Sequence, residues 1–498
     1  MNNKLGFLLI SSVLFASCAN DPFPAEEKVA LAKAGDLILE SGTYFNYKAD
    51  YGILVVPENR KIPDSRLIHI PIIRIHAKDK KSAKPIFSLT GGPGNPNLYT
   101  EAQLKGAGYS DLPVPWLGKK QDVVMVGYRG VDGTSMLTCP EFKRAIKSTK
   151  KPLSTDALQR FGRALNRDFQ KLKKDGIDIN GYNVVEVVDD LEAVRASLGY
   201  NTINLLSGSY GAQVAYVYCL RYPESIQRNV MLSPDAPGNL LVWKPEIIDA
   251  QLQYYADLWK NCHECLERSP DLLKSMRTVF DRLQERGSPD LDKVKIMTFL
   301  FLYDTDSAAQ ILNAFINAEN GDYRNLALAT KAFNIGMQSV IWGDFFSKIH
   351  SLVDINSLRD IEKEMDPLGS LIGSPMAKFI FGSAKYAGWP IKTIPQKYRE
   401  HQYLDVPTLL VSGNVDFSSP LVNAQKELLP YLRNGQLVIL KEFGHSDAMG
   451  RIQPEALQHL VETYFIEGKV DDSKYEYNTM NFTPSRSFSS WLRSIGPK

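Results

Sequence analysis

The chain lacks several features that would place it in a large class of proteins. Its 58 Lys and Arg residues nearly balance 56 Asp and Glu residues, and no basic cluster is interleaved with aromatics, so a nucleic-acid-binding surface is not expected. No stretch beyond the first residues is long and apolar enough for a transmembrane helix. The 5 cysteines and 7 histidines show no zinc-ligand spacing. We therefore predict neither a nucleic-acid partner nor a metal or other cofactor.

The chain begins with a pattern typical of export. Lys4 precedes an apolar run at 5–16 that is too short to span a bilayer. The run ends in L-F-A-S-C, which resembles a bacterial lipoprotein processing site with Cys18 as the lipidated first residue. Phe15 is unusual in that pattern, so ordinary cleavage to an unlipidated product stays open. We predict a signal peptide at 1–17, export, and a lipid anchor on Cys18 that attaches the protein to a bacterial membrane.

The remaining cysteines are expected in an oxidising compartment, where disulfides can form. Cys262 and Cys265 are separated by two residues, which favours a local disulfide over redox catalysis because no thioredoxin-like pattern surrounds them. Cys139 and Cys219 are candidates for a second pair, and the sequence leaves that pairing open.

Short apolar runs rich in β-branched residues alternate with helical patterns, which predicts an α/β fold with a mostly parallel sheet. The eight predicted strands lie at 53–57, 67–75, 85–89, 122–126, 203–206, 229–232, 407–411 and 436–440. The strand signal stops over 241–400, where helical patterns predict a lid inserted between strands six and seven. A separate helical domain without a part in the site is the alternative. The predicted core therefore comprises 18–240 and 401–470, with a C-terminal tail at 471–498.

Residues 202–212 carry an apolar strand that leads into a turn of small residues and then into a helix. The turn reads S-G-S-Y-G at 207–211, close to the G-x-S-x-G of a nucleophile elbow, in which small residues permit a strained turn that exposes the serine. We predict Ser209 as the nucleophile. A similar turn also joins strands to helices in α/β proteins without this chemistry.

A serine nucleophile needs a histidine to accept its proton and a carboxylate to orient that histidine. His445 lies in a loop directly after the last predicted strand, and we predict it as the base. Asp416 follows the seventh strand and gives the order Ser, Asp, His expected of an α/β-hydrolase. Asp235, after the sixth strand, is the rival acid. Asp447 is a third candidate, but it lies too close to His445 in sequence to orient the ring easily.

The oxyanion formed when a serine attacks a carbonyl needs two backbone N–H donors. One is expected from Tyr210, the residue after the nucleophile. The other is expected from the loop after the third strand, which reads L-T-G-G-P-G-N at 89–95 and whose glycines allow close backbone approach to a ligand.

Several motifs together resemble the proline iminopeptidase and tripeptidyl aminopeptidase family of α/β-hydrolases over nearly the whole chain. They are T-G-G-P-G at 90–94, Y-R-G-V-D-G at 128–133, L-T-C-P at 137–140, S-G-S-Y-G at 207–211, G-N-V-D at 413–416 followed by S-P at 419–420, G-H at 444–445, and an opening strand at 51–60. The resemblance implies a serine peptidase that releases residues or short peptides from an N-terminus. It also implies Ser209, Asp416 and His445 as the catalytic triad, with Gly92 and Tyr210 as oxyanion donors.

Four positions depart from this family's pattern. Thr90 stands where many members have histidine, Ser207 and Ala212 stand where glycine is usual, and Gly127 stands where an aspartate is common. None of these changes removes a catalytic group, so they bear on the substrate more than on the mechanism.

An aminopeptidase also needs an anion to hold the substrate's α-ammonium group. Asp344 resembles an acidic lid position of the family, although Trp342 replaces the usual cysteine nearby. A family cysteine expected near Asp168 as a partner for Cys139 is absent. We predict that Asp344 binds the substrate N-terminus; a lid carboxylate without that role is the alternative.

The resulting prediction is an exported serine aminopeptidase acting on short peptides. A serine esterase using the same residues is the first alternative, because acyl transfer to serine is the same chemistry whether an amine or an alcohol leaves. A catalytically silent binding protein with a hydrolase-like fold is the second alternative. The sequence does not decide the oligomeric state.

Overall fold

A computed structural model describes residues 22–79, 83–106, 117–238, 241–354 and 360–495. The predicted signal peptide and Cys18 lie outside the described residues. Within them a single sheet contains nine strands. These are β1 (Leu37–Tyr44), β2 (Tyr47–Pro57), β3 (Leu67–Ile75), β4 (Ile86–Leu89), β5 (Val123–Val126), β6 (Ile203–Gly208), β7 (Ile226–Leu232), β8 (Thr408–Gly413) and β9 (Gly435–Leu440).

The strands are arranged in the order β1-β2-β3-β5-β4-β6-β7-β8-β9. The first four in this order pair antiparallel. All pairings from β5 to β9 are parallel. The mostly parallel sheet is therefore confirmed, and the carboxyl ends of β4, β6, β7, β8 and β9 lie at one edge, where open α/β sheets bind ligands.

The described sheet has nine strands, one more than the eight predicted from the sequence. The missed strand, β1, pairs along its length with β2 and reads L-I-L-E-S-G-T-Y, with most of its residues at least partly exposed. A polar, glycine-containing edge strand lacks the apolar alternation from which strands are predicted, and its position here depends on pairing with β2. The helical insertion consequently lies between β7 and β8, the seventh and eighth strands.

Helices cover both faces of the sheet and form the insertion. Before the insertion lie α1 (Glu26–Val29), α2 (Glu101–Gly106), α3 (Leu117–Lys120), α4 (Pro140–Ser148), α5 (Thr155–Lys174), α6 (Val184–Ser197) and α7 (Tyr210–Arg221). The insertion holds α8 (Pro245–Lys260), α9 (His263–Arg268), α10 (Leu272–Arg286), α11 (Leu291–Phe301), α12 (Thr305–Glu319), α13 (Arg324–Ser339), α14 (Trp342–Leu352), α15 (Ile361–Glu364) and α16 (Pro375–Lys385). After it come α17 (Leu421–Asn423), α18 (Pro454–Glu467) and α19 (Phe488–Ile495).

The insertion, called the lid below, is packed against the core and shares its apolar interior. One buried cluster runs from strand residues such as Leu205 and Met231, through α6 and α7, into the lid helices. A second cluster on the opposite face includes Leu206, Val230 and α18. Consecutive strand residues thus alternate between two apolar layers, as expected for a sheet buried on both faces.

The C-terminal segment returns to the lid after α18. The rings of Phe482 and Trp259 lie 5.2 Å apart, and those of Trp491 and Phe301 lie 5.1 Å apart. Asn313 of α12 donates a hydrogen bond to the Phe482 carbonyl over 2.7 Å. The residues predicted as a tail therefore pack onto the lid helices.

Cys262 and Cys265 form the local disulfide favoured by their spacing. Cys139 and Cys219 are both buried and unpaired, so a bond between them does not form. No helix in the described part of the chain has the length and apolar character needed to cross a bilayer.

Candidate active site

Ser209 lies between the end of β6 and the start of α7, in the turn predicted for a nucleophile. Its backbone has φ 53° and ψ −126°, a region that non-glycine residues seldom occupy. Ser209 is partly exposed, whereas its neighbours Gly208 and Tyr210 are buried. The turn therefore holds one serine hydroxyl outward on a constrained backbone, and such strain is typical of functional sites.

Two small residues explain how this turn packs. A Cβ on Gly211 would lie 2.3 Å from the Leu89 carbonyl oxygen, so only glycine lets α7 begin this close to the end of β4. Ser207, at the position where glycine is usual, is buried and donates its hydroxyl to the Val230 carbonyl of β7 over 3.1 Å. The serine is accommodated between two strands, and its side chain is directed away from the turn.

Asp416 and His445 are joined at the same edge of the sheet. The Nδ1 atom of His445 lies 2.9 Å from Oδ2 and 3.1 Å from Oδ1 of Asp416. Asp416 is fully buried, and its Oδ1 accepts the backbone N–H groups of Ser418 and Ser419 at 2.8 and 2.7 Å. The carboxylate is thereby fixed, and with Nδ1 engaged the Nε2 atom of the imidazole is left to accept a proton.

Glycine allows two loops to make contact: the loop that carries Asp416, called the acid loop, and the loop that carries His445, called the base loop. A Cβ on Gly413 would lie 2.0 Å from the Phe443 carbonyl oxygen. Val415 donates its N–H to that carbonyl over 3.2 Å. Beyond His445, the side chain of Met449 reaches the elbow, where a Cβ on Gly208 would lie 3.0 Å from its Cε. The base loop thus contacts both the acid loop and the nucleophile turn.

Among the described residues, no hydrogen bond joins the Ser209 hydroxyl to the His445 imidazole. Contacts between nucleophile and base are often long or poorly aligned in unliganded enzymes and shorten when substrate binds. The roles of the three residues are therefore taken up as a proposal below.

Carboxyl groups surround the imidazole. Burial opposes its protonation, but the negative charges of Asp416, Asp304 and Asp235, together with the Asp416 hydrogen bond, raise the pKa of His445 above its ordinary value of 6.5. Burial raises the pKa of Asp235 to about 7 and that of Asp304 to about 6. The acidic surroundings favour a positive charge on the base, the species that a serine hydrolase forms when it removes the serine proton.

The rival acids have other partners. Asp235 accepts hydrogen bonds from Ser419 Oγ at 3.3 Å and from Asn423 Nδ2 at 3.2 Å. Asp447 accepts the Thr305 N–H at 3.1 Å and the Gly444 N–H at 3.0 Å, and also pairs with Arg451. Of the three predicted candidates, Asp416 is the carboxylate that contacts the imidazole.

The glycine-rich loop after β4 faces the nucleophile through Gly91, one residue before the predicted donor Gly92. A Cβ on Gly91 would lie 2.9 Å from Cβ and 3.4 Å from Oγ of Ser209. The base of the loop is closed by Asn97, whose Oδ1 accepts the Thr90 N–H at 2.7 Å. The loop therefore lies against Ser209, and Tyr210, the next residue along the chain, begins α7 with an N–H free of intrahelical bonds.

Asp344 is buried and paired within the chain, unlike a residue that is open to a substrate. Its side chain is 2% exposed and forms an ion pair over 3.0 Å with Lys348, one turn further along α14. Its Oδ2 accepts the N–H of Gly94 in the glycine-rich loop at 3.2 Å. The carboxylate is enclosed and matched by a cation of the same chain, which does not favour the predicted contact with a substrate ammonium group.

Sequence reasoning missed several residues that support the site. Gly91 belongs to the predicted loop, and the Gly-Gly doublet is the sequence signal for its close approach to Ser209. Tyr303 of the lid accepts the His445 backbone N–H at 2.6 Å, and no local pattern indicated that contact. Groups of three or more His, Cys, Asp or Glu side chains arranged to hold a metal are not found in the described residues.

Comparison with known proteins agrees with this fold. Residues 84–450 match the family model described as the alpha/beta hydrolase fold. The chain belongs to the alpha/beta-hydrolase family. Within this family it is similar to tripeptidyl aminopeptidase of Streptomyces lividans, with 25% identity over 219 residues, and to the putative hydrolase YuaR of Escherichia coli K12, with 27% identity over 165 residues.

These alignments are partial. They cover 42% of this alpha/beta-hydrolase and 40% of the Streptomyces protein, and 32% and 30% in the case of YuaR. Among solved structures, proline iminopeptidase of Mycobacterium smegmatis is 12% identical with a TM-score of 0.38, covering 86% of this chain and 97% of that chain. That likeness is too distant to bear on activity.

Proposed function

We propose that the protein is a serine hydrolase of the aminopeptidase type, with Ser209, Asp416 and His445 as its catalytic triad. The observation that carries the proposal is the hydrogen bond from His445 Nδ1 to the buried Asp416 carboxylate, in a loop that also packs against the strained Ser209 turn. The same three residue types in this order act together in α/β-hydrolases.

The mechanism follows from the roles of these groups. Nε2 of His445 takes the proton of the Ser209 hydroxyl as Oγ attacks the scissile carbonyl, and Asp416 stabilises the imidazolium. The N–H of Tyr210 and an N–H of the loop at Gly91 and Gly92 receive the oxyanion. The imidazolium protonates the leaving amine, and water activated by the neutral imidazole releases the acyl group from Ser209.

An N-terminal peptide substrate is supported by the similarity to Streptomyces tripeptidyl aminopeptidases, which extends over less than half of either chain. The lid is hydrogen-bonded to the glycine-rich loop and to the base loop, and a lid at these loops would favour a short substrate over a folded protein. An esterase is the second candidate, because the enclosed Asp344–Lys348 pair removes one specific reason to expect a free α-ammonium group in the site.

The decisive experiment combines active-site labelling with substrate profiling. A fluorophosphonate probe should label the wild type and fail to label Ser209→Ala. Ser207→Ala is the matched control: it removes a buried hydroxyl two residues away and should keep labelling, at a cost of about 1 kcal/mol in stability. Equal labelling of the Ser209→Ala variant would refute the proposed nucleophile.

Substrate profiling separates the two activities. The wild type should hydrolyse aminoacyl or tripeptidyl anilides with a free α-amine faster than the same anilides carrying an N-acetyl group. Turnover of short-chain esters without turnover of any anilide would favour the esterase. Mass spectrometry of a peptide mixture then identifies the bond and the chain end that are cut.

We further propose that the protein is exported and anchored by lipid on Cys18. The support is the sequence pattern at residues 1–18. Metabolic labelling with an alkyne fatty acid in a bacterial host should label the wild type and not Cys18→Ser. An equally labelled Cys18→Ser protein would refute the anchor.

A further inference from the structure

The tip of the glycine-rich loop is held by the lid on both sides of Gly94. The N–H of Ile341 donates to the Gly94 carbonyl over 2.9 Å, and the Gly94 N–H donates to Asp344 Oδ2 over 3.2 Å. A Cβ on Gly94 would lie 2.8 Å from Val340 Cγ1 and 3.0 Å from the Ile341 carbonyl oxygen. The start of α14 is therefore in direct contact with this loop, without room for a side chain between them.

The opposite side of the loop faces the nucleophile. Gly91 is close enough to Ser209 that a Cβ on it would lie 2.9 Å from the Ser209 Cβ. Only two residues of the loop, Gly92 and Pro93, therefore separate the contact with Ser209 from the contact with Asp344. A shift of α14 would move the loop's N–H groups relative to the oxyanion, and oxyanion donors are effective only within about 2.7–3.1 Å of it.

A carboxylate this close to an oxyanion site would oppose the developing negative charge if it were alone. Lys348 balances it at 3.0 Å, and its Nζ also donates to the carbonyls of Arg129 at 3.2 Å and Tyr182 at 3.0 Å. Both side chains of the pair are at most 2% exposed. The cation is thus held by three oxygens of the chain, and the pair adds no net charge beside the site.

The charge of Asp344 also acts on Tyr210. Its hydroxyl is buried with no hydrogen-bond partner among the described residues. Burial raises the pKa of that hydroxyl, and the negative charge of Asp344 adds to the effect. Asp344 is therefore hydrogen-bonded to the loop that carries one proposed oxyanion donor, and its charge acts on the side chain of the residue that carries the other.

The geometry points to Asp344 as a positioning residue: through its hydrogen bond to Gly94 N–H, with its charge balanced by Lys348, it fixes the oxyanion loop against the lid. This inference rests on the proposed serine-hydrolase function. In this role the Asp344 carboxylate contacts the enzyme's own backbone and not the ammonium group of a substrate.

Two double variants isolate the hydrogen bond. Asp344→Asn with Lys348→Met removes both charges and keeps an acceptor for Gly94 N–H. Asp344→Leu with Lys348→Met removes the acceptor as well, with a side chain of similar size. Relative to the Asn variant, the Leu variant should lose about tenfold or more in kcat with KM changed by less than about threefold, since loss of one oxyanion donor costs about 10²–10³ in kcat.

Two substrates distinguish positioning from substrate binding. One is a tripeptidyl anilide with a free α-amine, and the other is p-nitrophenyl acetate, which has no ammonium group. Positioning predicts the same kcat loss for both. A rise in KM for the anilide alone, with ester turnover unchanged, would overturn the inference in favour of an ammonium contact.

Asp168→Leu controls for general loss of stability. Asp168 is also buried and accepts two backbone N–H groups, those of Glu141 and Phe142 at 3.0 and 2.9 Å, at the start of α4. This variant should lower the unfolding temperature while the rates with both substrates stay near those of the wild type.

Labelling by the fluorophosphonate separates failure of the inference from failure of the proposed function. If the Leu and Asn double variants are labelled at Ser209 at equal rates, the inference is wrong and the proposed function stands. If Ser209→Ala is labelled like the wild type, the proposed function is wrong and the inference falls with it.

Discussion

The sheet core and the helical lid contribute to the candidate site in different ways. The core supplies the side chains with chemistry: Ser209 follows β6, Asp416 follows β8 and His445 follows β9. The lid contributes hydrogen bonds to the loops around these residues, from side chains as well as from backbone groups. The carbonyl of Tyr303 accepts the His445 N–H, and residues at the start of α14 bond both sides of Gly94.

This difference argues against a lid that is only a cover. The core loops are bonded within the core, and the lid adds further hydrogen-bonding groups at fixed positions on packed helices. A loop that is bonded both to the core and to the lid keeps its reactive groups in place. This arrangement preorganises an active site. The division into core chemistry and lid support can be tested at individual residues.

The largest effect is expected within the core. Asp416→Asn should lower kcat by roughly 10⁴-fold, because the asparagine favours the wrong tautomer of His445. Asp235→Asn should lower kcat by less than about tenfold, because Asp235 hydrogen-bonds to Ser419 and Asn423. Steady-state kinetics of the two variants check this, and a larger loss for Asp235→Asn would exchange the roles of the acids.

The next effect is expected at the contact between core and lid. A Cβ at Gly444 would lie 2.3 Å from the Tyr303 carbonyl oxygen, so Gly444→Ala should move the base loop away from the lid. We expect about 1–3 kcal/mol lower stability and a clear loss of kcat. Gly106→Ala is the control and should be neutral, since no described atom outside its own helix lies within 4 Å of the added Cβ. Wild-type behaviour of Gly444→Ala in thermal unfolding and kinetics would argue against lid support of the base.

A smaller effect is expected in the pH profile. Since the raised pKa of His445 keeps its imidazole protonated to higher pH, activity should be lost as pH falls through a midpoint above 6.5. Asp304 belongs to the lid, and its charge contributes to this shift, so Asp304→Asn should move the midpoint to lower pH. The measurement is kcat/KM against pH. An unchanged midpoint would limit the lid to a purely steric role.

The smallest effect on activity is expected at the disulfide of the lid. Cys262 and Cys265 are three residues apart, so their bond closes a very short loop. Replacing both by serine should cost at most about 2 kcal/mol in stability and leave kcat unchanged. Thermal unfolding with and without reductant checks this, and a loss of kcat would show that the position of α8 and α9 matters to the site.

Much of the fold and of the site was predictable because the signals were local. The apolar strands of the parallel sheet are each bounded by turns, and Ser209, Asp416 and His445 each follow one of them directly. Parallel strands end at the same edge of a sheet, so residues that follow them are brought together whatever the intervening sequence. The rule holds for β8 and β9 even though the lid helices separate them in sequence from the earlier strands.

Other features depended on contacts between distant segments. β1 is recognised as a strand through its pairing with β2, and Cys139 and Cys219 are each buried without a disulfide. Asp344 is the clearest example, because its resemblance to an acidic lid position of the family implied a carboxylate that contacts the substrate. The fold placed Lys348 one helical turn away and Gly94 against it, which gave the carboxylate partners within the chain.

The amino-acid sequence by itself determined the α/β architecture and the three residues that follow its strands, since these depend on periodicity and turn chemistry along short stretches. Only the tertiary structure decided which of three acids meets His445, that Gly91 faces Ser209, and that the lid anchors the loops around them. Those outcomes depend on distances between segments far apart in the chain, which are set when apolar surfaces pack and have no signature in any one stretch.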